Sequence, residues 1–318
     1  MTRQSVVWLV AWTASLLVVG CAPQPDLATS DIATRLPTST VTRMSTPTVT
    51  RMSTPTVTKM SSPTVTPELT SVSPSTKEER TVTFTVVYDN NEYDPALRTA
   101  WGFSCWVEAG GATVLFDTGG DGATLLGNMA ELGLDPQAID VVVLSHVHGD
   151  HTGGLAGLLD TGARPTVYVP AAFPGSFKAD VRARTSLVEV TKPIEVSSGV
   201  YTTGQVGSGI VEQALIVETG VGSVIITGCA HPGIVEMVSK GKEVTPGKVA
   251  LVLGGFHLGG ASRGQVEDIV SMFRQLGVQR VAPCHCTGDR ARRVFVDAYG
   301  MDCTLAGVGW AGSVGSGQ

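Results

Sequence analysis

The sequence predicts an α/β (α+β) domain over residues 81–318, two β-rich halves each flanked by helices, behind an N-terminal stretch that has no core of its own. Three observations carry this. From Val82 onward, short apolar runs of strand type alternate with stretches of helical spacing. Most strand runs stop at Gly-, Asp- or His-containing motifs, the punctuation of turns. Residues 21–80 hold no segment with an apolar face to bury. The 238 residues of the domain are enough for one sizeable core.

Residues 1–20 have the layout of a secretory signal: Arg3, then the apolar stretch Val6 to Val19. That stretch is short of the about twenty residues a spanning helix needs. Leu17-Val18-Val19-Gly20-Cys21 has the form of a lipoprotein cleavage box, which would make Cys21 the lipidated first residue of an envelope protein facing the periplasm or exterior. The alternative is an ordinary cleaved signal with Cys21 incidental. Residues 21–80 form a Ser/Thr/Pro-rich tether in which Val41-Thr-Arg-Met-Ser-Thr-Pro-Thr48 recurs at 49–56 and, with Lys59 and Ser62, at 57–64. Such repeats are expected to stay unfolded.

In the domain, Val82 to Tyr88, Ser104 to Glu108 and Thr113 to Phe116 are predicted strands, and Ala123 to Leu132 is a helix stopped by Gly133. Ile139 to Leu144 is a buried strand, Leu155 to Leu159 a short helix and Thr166 to Val169 a strand. Gln213 to Val217 and Ser223 to Thr227 form a hairpin. Then follow the helix Pro232 to Val238, the strand Lys248 to Leu253, the helix Val266 to Leu276 and the strand Val278 to Ala282.

The strand Ile139 to Leu144 runs into Ser145-His146-Val147-His148-Gly149-Asp150-His151-Thr152-Gly153-Gly154. Three of the chain's six histidines fall within six positions. The period-two spacing of His146 and His148 puts both imidazoles on one side of the strand end, with Asp150 and His151 in the following turn. Three imidazoles and a carboxylate around one volume form a donor set for one or two zinc-like ions.

This motif resembles that of the metallo-β-lactamase superfamily, and other segments agree in order: Val114-Leu115-Phe116-Asp117-Thr118-Gly119, Thr227-Gly228-Cys229-Ala230-His231-Pro232-Gly233, Gly254-Gly255-Phe256-His257-Leu258 and Pro283-Cys284-His285-Cys286-Thr287-Gly288. With Trp101-Gly102-Phe103-Ser104, the last three resemble one branch, named for a synthase that joins a pterin to a ribofuranosylaminobenzene phosphate in methanopterin biosynthesis. The resemblance implies a four-layer αββα sandwich. It implies His146 and His148 as ligands of a first metal, Asp150 and His151 facing a second, and Asp150 orienting or deprotonating a bridging water. Asp117 would brace the ligating imidazoles. Cys229 stands where relatives usually carry a bridging aspartate, and is either a ligand or a small buried cysteine, with His231 able to ligate in its place. His285 matches the final histidine ligand; His257 is a ligand, a supporting donor, a substrate contact or structural. No histidine lies between residues 152 and 230, so the usual third histidine is missing. Glu212 sits near its place and is expected to be a solvated strand-flanking carboxylate. Either His231 or His257 then completes the first site. Zinc is favoured, two ions, with manganese or mixed occupancy open.

Seven Lys/Arg and five Asp/Glu in residues 1–80 leave 15 and 23 in the domain, a net charge of −8. An acidic surface argues against a nucleic-acid partner. The five cysteines beyond Cys21 are odd in number and do not form a disulfide framework; one pair is compatible, with Cys303 the first candidate. The expected activity is metal-dependent hydrolysis of a small ester, lactone, amide or phosphoester by an envelope-anchored enzyme. The alternatives are the branch's transferase chemistry and a non-catalytic metal- or ligand-binding lipoprotein.

Overall fold

The structure, a computed structural model, describes residues 81–315; the signal segment, Cys21 and the repeat tether lie outside the described residues. The first half runs β1 (Val82–Tyr88), β2 (Ser104–Ala109), β3 (Ala112–Phe116), α1 (Gly122–Glu131), β4 (Val141–Val143), α2 (Gly149–Thr152), α3 (Leu155–Asp160), β5 (Thr166–Pro170), α4 (Gly175–Arg182) and β6 (Leu187–Val190). The second runs β7 (Ile194–Ser197), β8 (Val200–Thr202), β9 (Leu215–Thr219), β10 (Gly222–Thr227), α5 (Ile234–Val244), β11 (Val249–Gly255), α6 (Arg263–Gln275), β12 (Val278–Cys284) and α7 (Asp289–Tyr299). The last strand, β13 (Ala311–Val314), returns to pair with β1.

Two sheets result, ordered β13-β1-β2-β3-β4-β5-β6 and β12-β11-β10-β9-β8-β7. Their facing sides share one core: Phe84, Val86 and Phe116 of the first meet Leu215, Ile226 and Leu253 of the second. Alternation sends the other side chains outward. Leu115 and Val142 pack under Leu125 and Met129 of α1 and Leu155 and Leu158 of α3. Ile225, Val252 and Val281 pack under α5, α6 and α7 through Met237, Phe273 and Phe295. The domain is therefore the four-layer αββα sandwich. The interior strand β11 is buried along its whole length, as its unbroken apolar run requires between helices and a second sheet.

Several elements escaped the sequence reading. α4 buries only Val181, and β7 is an edge strand with Ile194 and Glu195 exposed, so neither carries a period to detect. In α7, Arg290, Arg292, Arg293 and Asp289 outnumber the buried Ala291, Val294 and Phe295. Among the described residues no disulfide forms: Cys105, Cys229, Cys284, Cys286 and Cys303 are all free thiols. Cys303 instead lies in an isolated bridge to Val281.

The strand directions place the site. β3, β4 and β5 are parallel, as are β10, β11 and β12. Their C-terminal ends release Asp117, the His146 loop, Cys229, His257 and His285 on one edge.

Candidate metal centre

All six histidines of the chain converge here. Ring centroids lie 4.7 Å apart for His146–His148, 4.2 Å for His146–His151, 4.6 Å for His146–His231 and 4.9 Å for His148–His231. His285 is 5.0 Å from His151, and His257 is 4.5 Å from His231. β4 ends at Val143, so His146 and His148 sit on the loop beyond it, not on the strand; the loop still brings His146 Nε2 and His148 Nδ1 to 3.1 Å.

Each of four rings has its Nδ1 held by an oxygen. His151 Nδ1 lies 2.7 Å from Asp117 Oδ2, His231 Nδ1 3.1 Å from Glu212 Oε2, and His285 Nδ1 2.9 Å from Asn90 Oδ1. His146 Nδ1 lies 2.9 Å from Ser145 Oγ, which itself donates to Asp117 Oδ2 at 2.7 Å. A carboxylate or amide oxygen only accepts, so these contacts put the proton on Nδ1 and leave Nε2 unprotonated, with that of His146 facing His148 Nδ1. This is the orientation that metal-binding imidazoles require.

The free atoms fall into sets that could hold a metal. Ligand atoms of Asp150, His151, Cys229 and His285 lie within 4.8 Å of one another, as do those of His146, Cys229 and His231 and those of Cys229, His257 and Cys286. Cys229 Sγ is 3.3 Å from His151 Nε2, and Asp150 Oδ2 is 3.5 Å from His151 Nε2 and 3.4 Å from His285 Nε2. His285 Nε2 is buried without a hydrogen-bond partner, an arrangement a cation would relieve. Imidazole, thiol and carboxylate donors around one orphaned nitrogen fit a metal of the zinc type.

The backbone is strained to make this cluster. Asp117, Ala230, His257 and His285, the four non-glycine residues with positive φ among the described residues, all lie here. Such conformations cost on the order of 1–3 kcal/mol each and persist where the surroundings enforce them. Gly228 is required for space, since a Cβ there would fall 2.1 Å from Ser145 Oγ and 2.8 Å from Asp117 Oδ2.

Electrostatics follow from burial and neighbours. Burial, followed by the charge of His151, lowers His146 to about 3; burial and then His285 lower His151 to about 4. Both rings are neutral and able to ligate at pH 7. Burial pushes Asp150 up, but the close approach of His285, 3.4 Å away, and the charges of His151 and His285 outweigh it and hold the carboxylate well below its usual range. Burial raises Asp117 to about 7 against the opposing pull of His146 and Ser145. The hydrogen bond from Cys229 lowers Cys286, with His257 assisting; the same bond, then burial, pushes Cys229 up. The thiol pair thus favours a single negative charge.

Glu212 corrects the sequence reading. It is fully buried, not solvated: Oε1 accepts from Cys229 N at 2.9 Å and Ala230 N at 2.8 Å, while Oε2 accepts from His231 N at 3.0 Å and faces His231 Nδ1. Burial alone would raise it, but the hydrogen bond from His231, the charge of His146 and these backbone donors hold it at about 2. The ring that stands beside His146 and His148, where the histidine series has its gap, is that of His231, held by this carboxylate. His257 lies farther out, exposed, beside His231 and Cys286. The sequence reading also passed over Asp89 and Asn90. Asp89 accepts from His285 N at 3.0 Å, and Asn90 holds the His285 ring. Both follow directly on β1, and the strand-end rule that found the histidines would have found them.

Residues 102–285, more than half of the chain, match the model of the Metallo-beta-lactamase superfamily. The chain belongs to that superfamily. It is similar to the 7,8-dihydropterin-6-methyl-4-(beta-D-ribofuranosyl)-aminobenzene-5'-phosphate synthase of Methanocaldococcus jannaschii, 29% identical over 235 residues that cover 59% of this chain and 80% of that one. A second, uncharacterized protein of the same organism is 27% identical over 240 residues, covering 65% of this chain and 91% of the other. Among solved structures, a metal-dependent hydrolase of the beta-lactamase superfamily is 27% identical, with a TM-score of 0.61 over 74% of this chain and 100% of that one. By these likenesses it is an enzyme of the metallo-hydrolase fold.

Proposed function

We propose that this chain is an exported, envelope-anchored metal-dependent hydrolase acting on a small ester, lactone, amide or phosphoester. The observation that carries the reading is the placement of Asp150, 23% exposed at its side chain and within 3.5 Å of two inward ring nitrogens. His146, His148 and His231 would hold one ion and Asp150, His151 and His285 a second, with Cys229 in reach of both. Zinc suits imidazole and thiolate donors better than manganese does. When bound, the metal supplies Lewis acidity and makes water a nucleophile at neutral pH.

The protein's own residues do the rest. Asp150, ionised and partly open to solvent, accepts a hydrogen bond from water at the mouth and orients it. Asp117 and Glu212 lock the rings that line the floor, so no reorganisation is needed as substrate arrives. Beside His231 a cavity of about 480 Å³ is lined by Gly207, Ser208, Gly209, Ile210, Pro232 and Glu236, room for a small substrate. Its only charged side chain is an acid, which favours a small molecule over nucleic acid.

The envelope part of the reading rests on the Leu17 to Cys21 box and the repeats that follow. The likeness to the M. jannaschii synthase supports transferase chemistry as the second reading. A non-catalytic binding role loses its motive once His231 supplies the third imidazole. The test is turnover by the zinc-loaded protein of ester, lactone, amide and phosphodiester probes, beside condensation of a dihydropterin with a ribofuranosylaminobenzene phosphate. Chelator-sensitive cleavage supports the hydrolase. Condensation with every hydrolytic probe silent sinks it in favour of the transferase.

A further inference from the structure

We propose that Cys286 is a metal ligand, forming with Cys229 and His257 a third, sulfur-rich donor set that takes a soft, thiophilic cation. The three ligand atoms lie within 4.8 Å of one another, and this set shares only Cys229 with the other two. Cys286 and Cys229 are 9% and 4% exposed, and the exposed His257 keeps a ring nitrogen within 4.8 Å of both sulfurs.

The surroundings are shaped for this thiol. A Cβ at Gly255 would fall 2.7 Å from Cys286 Sγ and 3.2 Å from the His285 ring, so a glycine vacates the space the sulfur occupies. His257 is held at φ +53, a left-handed conformation unusual for a bulky side chain, and that backbone brings its ring nitrogen within reach of both sulfurs. The two cysteines have not paired as a disulfide, so both sulfurs are available as donors.

The chemistry differs from that of the neighbouring sets. Those are built mainly from imidazoles and a carboxylate, whereas two sulfurs and one nitrogen select zinc, cadmium or Cu(I) and discriminate against manganese. Because Cys229 belongs to all three sets, an ion on Cys286 draws this sulfur into a bridge and ties the third position to the other two. The inference rests on metal binding in the same pocket but not on hydrolysis.

The test is an anaerobic cadmium titration of the reduced, metal-free full chain. It reads thiolate-to-cadmium charge-transfer absorption together with cadmium bound per chain. Cys286→Ser should bind one cadmium fewer and lose the part of the absorption that belongs to that ion, its bonds to the Cys286 and Cys229 sulfurs. His257→Asn, an exposed change to a residue that tolerates positive φ, should keep the absorption but weaken the sulfur-bound ion by about tenfold or more. His146→Ala should lose an ion while keeping the part of the absorption that depends on Cys286, and its failure to lose that ion would count against the histidine sets rather than against Cys286. Full absorption and full stoichiometry in Cys286→Ser overturns the proposal. Should that variant not fold, unchanged cadmium affinity in His257→Asn overturns it equally.

Discussion

Replacing Glu212 by Gln is the most direct probe of how the site is built. Two of the carboxylate's contacts involve Oε2: His231 N at 3.0 Å and His231 Nδ1 at 3.1 Å. Glutamine keeps one oxygen for Cys229 N and Ala230 N, but turns an amide NH₂ toward two donors that have no other acceptor at that point. Hydrogen bonds to a charged acceptor contribute roughly 1.5–3 kcal/mol each, so losing two costs about 3–6 kcal/mol. A second route gives a similar figure: a fully buried carboxyl held at about 2 against an ordinary 4.5 corresponds to about 3 kcal/mol. In a domain of this size 3 kcal/mol lowers Tm by roughly 6–12 °C. Glu212 titrates lower folded than unfolded, so its contribution is fully present above about pH 4.5 and disappears as the pH falls toward 2. Thermal unfolding of the metal-free protein at pH 7, with Glu131→Gln on an exposed helix end as control, checks the first part. Repeating it at decreasing pH should narrow the gap between wild type and variant. A fall of less than about 2 °C at pH 7, or a gap that widens in acid, would refute the argument that this carboxylate holds the His231 loop.

Replacing His146 or His148 by Ala should remove at least one ion and abolish turnover, measured by metal analysis and probe hydrolysis; wild-type stoichiometry in both variants would end the metal assignment. Asp150→Asn should keep much of the first ion while turnover is lost, because the carboxylate serves the second ion and its water; unchanged turnover would take the water-orienting role from Asp150. Cys21→Ser should block lipid attachment, so detergent partitioning identical to that of the natural protein would exclude the anchor.

Much of the architecture was legible because it depends on local pattern. The apolar runs behind β1, β3, β10, β11 and β12 are long enough to register as strands, and the amphipathic period of α1 and α6 as helices. Edge strand β7 and the Arg-rich α7 were not legible, since an element with little buried surface leaves little trace in its residues. The histidines stood out by rarity and by their place after strands.

The sequence by itself determined which residues gather at the strand ends, because an apolar strand followed by a polar turn delivers that turn to an edge of the sheet. Only the tertiary structure decided how they are used. Whether Glu212 is solvated or buried depends on the His231 loop folding back onto it, nineteen residues away. Which nitrogen of His285 faces inward depends on Asn90, 195 positions earlier and across the sandwich. Cys286 meets Cys229 and His257 because β10, β11 and β12 run parallel and end at one level. Hydrogen-bond partners and donor sets are properties of chain crossings, and no local period encodes which loops will face each other.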